Sequence, residues 1–366
     1  MAYVVQKFGG TSVATLERIQ HVAKIVAETY KTKPVAVVVS AMAGITNKFA
    51  TYAYELNSSE GDPEYDTVVS SGEIVSAGLL AMAIKNLGIK SRSYTGWQVP
   101  IRTNNSYGSA IIRDVGVQNV EKDLQHGIIP VICGFQGISS ENRVTTLGRG
   151  GSDLTAVAVA AALDADICEI YSDVNGLYTV DPNIYPKGVR LERVHYNAMK
   201  EMAAQGAKVL QEQAIDYAIR NNVKMLLASS FVDGSGTIVD GSCKQQKYCG
   251  LAIIRDMLQF KIQHEMISHQ DVVKILQKHC IRCEILKESR EKFSILIDKR
   301  KTHLMLSILN NEKRILNVKQ EMTRRHCSCI SIVGRGLNFE DCSRLTFLLK
   351  NTDIEVFYCS IRDYSI

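Results

Sequence analysis

The feature that most constrains this chain is an alternation, over its first 230 residues, of short β-branched runs with longer segments of helical period. The runs predict strands at Tyr3–Lys7, Val35–Ser40, Ile129–Cys133, Ile167–Tyr171 and Val223–Ala228. Between the first two, Leu16, Ile19, Ala23, Val26 and Tyr30 recur at steps of three and four, which makes one apolar helical stripe. Strands that alternate with such helices predict an α/β fold, a mainly parallel sheet with helices on both faces. Sheets of this kind bind ligands beyond the carboxyl ends of their strands, so the loops there are where chemistry is sought.

From about residue 250 the pattern changes. Short strands are predicted at Leu251–Ile254, Gln259–His264, Arg282–Leu286, Phe293–Asp298, Cys329–Val333 and Glu355–Cys359. Helical stretches separate them, at Asp271–Lys278, His303–Asn311 and Asp341–Lys350. This fits an α+β ferredoxin-like βαββαβ unit used twice. Charge changes at the same place: residues 1–240 hold 21 Lys+Arg against 24 Asp+Glu, and residues 241–366 hold 22 against 14. The expected domains are therefore 1–240 and 250–366, joined by a Gly- and Ser-containing linker.

The basic residues of the second part are scattered among apolar ones without an aromatic stacking motif, so no nucleic-acid partner is expected. No basic leader is seen, and no apolar run approaches the roughly 18 residues a membrane span needs, so the protein is expected to be cytoplasmic, with no membrane partner. Its 10 cysteines are then expected to be reduced. His279-Cys280-x-x-Cys283 and His326-Cys327-x-Cys329 contain enough ligand types for zinc, but Cys280 and Cys283 straddle a helix-to-strand change. No protein-held metal is expected.

Five segments carry the chemistry. Lys7-Phe8-Gly9-Gly10-Thr11-Ser12 ends the first strand just before the first helix. Adjacent glycines bring backbone N–H groups close to an anion, and the helix start is electropositive, so this is either a phosphate cradle or a tight turn. It is not a P-loop, in which the lysine follows the glycines. Leu147-Gly148-Arg149-Gly150-Gly151-Ser152-Asp153 also precedes a helix, with Ser152 or Asp153 as the expected N-cap and Arg149 as a fork-shaped cation. Ser172-Asp173-Val174-Asn175-Gly176-Leu177-Tyr178-Thr179-Val180-Asp181-Pro182 follows another strand and on local grounds is a long loop. Ser40-Ala41-Met42-Ala43-Gly44-Ile45-Thr46-Asn47 and Ser70-Ser71-Gly72-Glu73 complete the set.

In this order and spacing, the five segments closely resemble the signatures of the aspartate kinases of the amino acid kinase superfamily. The resemblance implies transfer of the γ-phosphoryl group of ATP, with Mg2+, to the side-chain carboxylate of L-aspartate, the first step towards lysine, threonine and methionine. It implies that Lys7, Phe8, Gly9 and Gly10 hold the phosphates. Ser172, Asp173 and Tyr178, with Lys208 of Gly206-Ala207-Lys208-Val209-Leu210, would form the nucleotide pocket. Ser40, Thr46, Glu73, Arg149, Gly150 and Ser152 would surround aspartate. Lys7 and Asp153 are the expected catalytic pair, Asp153 orienting Lys7 through a salt bridge.

Two positions depart from the family pattern near the nucleotide: Asn183 after Asp181-Pro182, and Gln211-Glu212 after Leu210. They keep open a non-catalytic amino-acid-sensing relative, or a sister kinase for another carboxylate. The second half is similar to the paired ACT regulatory modules of the same family, which usually associate between subunits, so a homo-oligomer is expected. Their effector loops normally carry Pro-Gly, which is missing from His264–Asp271 and Gly334–Asp341. The second module looks incomplete at Ile366.

Overall fold

The β-branched run near the start forms β1 (Val4–Phe8), with all five residues buried. It leads into α1 (Leu16–Tyr30), whose N-cap Thr15 accepts a hydrogen bond from the Arg18 N–H. The apolar stripe buries Ile19, Val22, Ala23 and Val26, while Leu16 at its edge stays exposed. β2 (Val35–Val39), α2 (Ile45–Glu55), α3 (Pro63–Val69), α4 (Ser71–Asn86) and β3 (Ser91–Tyr94) follow. Then come β4 (Ile101–Thr103), β5 (Ile112–Val115), α5 (Gln118–Gln125), β6 (Ile129–Cys133), β7 (Gln136–Ile138) and β8 (Val144–Thr146). The remainder of this unit is α6 (Gly151–Ala162), β9 (Ile167–Ser172), β10 (Arg193–His195), α7 (Tyr196–Ala204), α8 (Glu212–Asn221), β11 (Met225–Ser229) and β12 (Thr237–Asp240).

The computed structural model describes residues 2–207, 209–263, 269–278, 283–287, 292–299, 302–311 and 319–350, with Thr352, Ile354, Val356, Ile361 and Ser365 beyond them. The chain divides into two units, Met1–Cys249 and Gly250–Ile366. In the first, eight strands form one sheet in the order β10-β12-β11-β9-β1-β2-β6-β3. All its pairings are parallel except β11 with β12. One face is covered by α1 and α4, through a core that includes Val22, Val26, Leu80, Ile84, Val37 and Val131. α6 lies against β1, β2 and β9 and meets α8. It is apolar nearly all round because it is enclosed, and Gly151 through Ala160 are all buried. Each fully buried valine there is worth roughly 1.5–3 kcal/mol relative to exposure.

β1 lies between β2 and β9, so the chain leaves it in one direction early and returns on its other side much later. That is a topological switch point, where the loops after neighbouring strands part and leave a crevice. The short strands of a second sheet, β5-β4-β7-β8, were not foreseen. At three or four residues each they are too short for a periodicity to be read.

In the second unit, β13 (Gly250–Gln263), α9 (His269–Lys278), β14 (Cys283–Lys287), β15 (Lys292–Asp298), α10 (Thr302–Asn311) and β16 (Lys319–Val333) precede α11 (Phe339–Lys350). The antiparallel order β14-β15-β13-β16 is that of a ferredoxin-like, ACT-like sheet. Leu258, Phe260, Val272, Leu276, Ile295, Ile297, Met305 and Ile308 form its core. The two strands expected before His264 are one strand, with a register shift between Ile254 and Met257 where Asp256 takes φ 57. The expected strand Glu355–Cys359 apart from Val356, most of the His264–Asp271 loop, and His279 and Cys280 lie outside the described residues.

The helical stretch Pro63–Asn86 contains an 18-residue window as apolar as a membrane-crossing helix, and half of that window is buried, because Ala77, Leu80, Ala81 and Ile84 join the core beneath the sheet. One expectation needs correction. Among the described cysteines, Cys133, Cys168, Cys243, Cys249, Cys283, Cys327 and Cys329 lie outside any disulfide, but Cys342, on the buried side of α11, is disulfide-bonded.

Candidate functional site

The carboxyl ends of β1, β2 and β9 meet around two glycines. The Gly9 N–H donates to the Tyr171 carbonyl at 3.2 Å, and the Ser40 N–H donates to the Phe8 carbonyl at 3.1 Å. The Ala43 N–H reaches the Gly10 carbonyl at 3.2 Å. A Cβ on Gly10 would stand 2.9 Å from the Ala41 carbonyl oxygen, so the two turns approach this closely only because that position is glycine.

Lys7 stands at the end of β1, 8% exposed, and its Nζ lies 2.5 Å from Oδ1 of Asp153. Asp153 is itself 8% exposed and occupies the first turn of α6. The ion pair thus joins the Lys7-Phe8-Gly9-Gly10 turn to the glycine–arginine turn before α6. The N-cap of α6 is Gly150, at φ 66, and it makes no side-chain cap bond. Neither Ser152 nor Asp153 caps this helix. Both sit inside its first turn, because a left-handed glycine starts the helix and releases their side chains for other contacts.

Arg149 is exposed on that turn and makes no ion pair among the described residues. Ser152 is buried against the end of β6, where a Cβ on Gly134 would meet its Oγ at 2.7 Å. Glu73 sits in the first turn of α4, 3% exposed, with Oε2 lacking any hydrogen-bond partner. Burial pushes its pKa up to about 8, although the N–H of Ala41 and its own N–H hold the carboxyl. Gly72 permits this arrangement, since a Cβ there would be 2.7 Å from the Ala41 Cβ. A buried carboxyl with an open oxygen is a receptor for a cation, and an ammonium is the natural guest.

Ser40 and Thr46 are half-buried, Ser40 just after β2 and Thr46 at the start of α2 behind the left-handed Gly44. Ser172 Oγ accepts from the Val174 N–H at 3.1 Å and so shapes its own loop. Asp173 is exposed, and Tyr178 is half-buried and bridged to Arg190. The Phe8 side chain points elsewhere: it is fully buried and stacks on Tyr171, ring centroids 4.9 Å apart, because strand alternation turns it into the core. Only its backbone borders the turn. Lys208 lies outside the described residues. Of the departures, Asn183 donates its N–H to Asp181 Oδ1 in an exposed turn. Gln211 lies over Gly150, where a Cβ would come within 1.7 Å of its Cγ.

Residues not singled out from the sequence also build the site. The Ser230 N–H donates to the Ser172 carbonyl at 3.0 Å, and Ser230 Oγ donates to Ser12 Oγ at 2.7 Å. Arg18 holds this loop through the Ser230 carbonyl at 2.6 Å while covering the Phe231 ring at 3.8 Å. Gly134-Phe135-Gln136-Gly137 follows a strand that was foreseen, and its two glycines were the available signal. Among the described residues no three His, Cys, Asp or Glu side chains gather to hold a metal ion.

The family model "Amino acid kinase family" matches residues 2–229. An aspartokinase of Rickettsia prowazekii is 49% identical over 244 residues, 65% of this chain and 55% of that protein. The aspartokinase of Rickettsia felis is 38% identical over 360 residues, 96% of this chain and 90% of that one. Among solved structures, Escherichia coli aspartokinase III in complex with aspartate and ADP superposes with a TM-score of 0.82 at 23% identity, covering 99% of this chain and 95% of that one. That likeness is one of fold.

Proposed function

Given that this chain belongs to the amino acid kinase family, as one of its aspartokinases, we propose that it transfers the γ-phosphoryl group of ATP to the side-chain carboxylate of L-aspartate, yielding 4-phospho-L-aspartate and ADP. The observation that carries the reading is the Lys7–Asp153 ion pair, which ties a phosphate-type glycine turn to a turn bearing a free arginine.

The acceptor carboxylate is ionised at neutral pH and needs no general base. The barrier is repulsion between that carboxylate and the triphosphate, so the chain's task is positioning and charge neutralisation. Lys7, oriented by Asp153, supplies a preorganised cation where the phosphoryl group moves, and the Gly9–Gly10 backbone allows close approach. Magnesium accompanying ATP would offset the charge of the phosphates. On the acceptor side, Arg149 suits the α-carboxylate as a two-pronged partner, and the open Oε2 of Glu73 suits the α-ammonium. Ser40, Thr46 and Ser152 line the same end of the sheet, and Ser172 and Tyr178 lie on the nucleotide side. Exposed Phe339, Phe347 and Leu348 on α11 support self-association through the second unit.

A coupled ADP-release assay across a panel of amino acids tests this reading. Aspartate-dependent release is expected. Release with another carboxylic acid alone would make the chain a sister kinase, and none with any would make it a non-catalytic sensor.

A further inference from the structure

Asp66 is fully buried on α3, and both of its carboxylate oxygens are engaged. They accept the Gly108 N–H at 3.0 and 2.9 Å, the Thr146 N–H at 2.7 Å and the Thr146 hydroxyl at 2.9 Å. Among the described residues it forms no ion pair, so these donors alone replace the water it has lost. Gln136 is equally buried: its Nε2 donates to the Ser70 carbonyl at 2.6 Å, and its Oε1 accepts the Gly96 N–H at 3.1 Å. Gln136 and Thr146 stand directly opposite each other in the β7–β8 pair. One cross-strand pair therefore grips the helical stretch at two points.

The two points are placed with respect to the site. Asp66, Ser70 and Glu73 are spaced by four and three residues, which sets them along one helical face. Thr146 ends β8, three residues before Arg149, and its carbonyl accepts the Ala110 N–H at 2.8 Å. The Gly108 loop lies beneath the same turn, where a Cβ on Gly148 would be 3.4 Å from the Gly108 carbonyl oxygen. Apolar packing could fill this volume, but it would not fix direction as four hydrogen bonds to one carboxylate do.

We propose that Asp66, assisted by Gln136 and Thr146, is a positioning residue for substrate selection: it sets the Glu73 end of α4 against the Arg149 turn. The inference rests on the reading of Glu73 and Arg149 as the partners of aspartate's ammonium and α-carboxylate. Those two groups share one carbon atom, so their receptors must be held at a fixed separation. A displacement of about 1 Å in such a constellation costs up to about a hundredfold. The hydrogen bonds of the clamp run to α3 and to the Gly96 and Gly108 loops, and Lys7 and the Gly9–Gly10 turn are joined to the Arg149 turn separately, through Asp153.

Asp66→Asn places an amide N–H2 group against donors. It is expected to raise the aspartate KM about tenfold or more while the ATP KM stays within about twofold. Combined with Arg149→Lys, it should add much less than its own effect, since both act through one turn. Thr146→Val, which deletes only the hydroxyl donor, tests the same claim should Asp66→Asn fail to fold, and Thr146→Ser should restore the wild-type KM. An unchanged aspartate KM in a folded variant, equal rises in both KM values, or full additivity with Arg149→Lys would overturn the proposal. If Glu73→Gln and Arg149→Lys leave the aspartate KM unaltered, the substrate reading itself fails. If they raise it while Asp66→Asn and Thr146→Val do not, only the positioning role fails.

Discussion

Replacing Glu73 by Gln should abolish a pH dependence that the wild-type enzyme owes to burial of this carboxyl. Burial pushes its pKa up to about 8, so at pH 7 about one-tenth of the unliganded molecules carry the charge. An ammonium needs the charged form. The aspartate KM should therefore fall about eightfold between pH 7 and 8.5, as the ionised fraction rises to about three-quarters. Aspartate binding at pH 7 should release about 0.9 proton, read as a dependence of the binding heat on the buffer's protonation enthalpy. For the unliganded protein the sign is that of an acid whose folded pKa is raised. Its contribution to stability is fully present below about pH 4.5 and is lost as pH rises through about 8, so the melting temperature should decline across that window. In Glu73→Gln the aspartate KM should be high and flat, proton release near zero, and the decline in melting temperature smaller. A flat wild-type profile, or the same slope in the Gln variant, would refute the assignment of this carboxyl to the ammonium.

Lys7→Ala should lower kcat about a hundredfold or more, because a preorganised cation at the moving phosphoryl group is lost. It should also lower the melting temperature, since Asp153 is left buried without its partner; near-normal turnover would sink the role. Arg149→Lys should raise the aspartate KM about tenfold with a smaller change for ATP, because an ammonium cannot reproduce a two-pronged contact, and steady-state kinetics with each substrate varied decides it. Lysine and threonine, titrated singly and together at fixed aspartate, should inhibit weakly. The Gly334–Asp341 loop lacks Pro-Gly, and its Asn338 and Asp341 N–H groups are already bonded to each other's side chains, at 3.0 and 3.2 Å. Strong inhibition below millimolar effector would show a receptor built from other residues.

The strands around the site were legible because their period and β-branching are local properties. Predicted Tyr3–Lys7, Val35–Ser40 and Ile129–Cys133 correspond to β1, β2 and β6 to within a residue at either end. The glycine turns were legible for the same reason, since a pair of glycines between a strand and a helix limits what the backbone there can do. What local pattern could not carry was partnership. That Lys7 meets Asp153, 146 positions away, was expected only through the family resemblance, because no local pattern links the two. That Phe8 turns into the core, away from the glycine turn, depends on which face of β1 is covered. The N-cap of α6 was misplaced because serine and aspartate favour that position intrinsically, whereas Gly150, beneath Gln211, takes it in the fold. Glu73 shows the division most clearly. Its place at a helix start was visible in the sequence, but its raised pKa and open oxygen exist only because Gly72 lets α4 close on Ala41 and exclude water. Desolvation is a property of the enclosing structure, and no local segment encodes it.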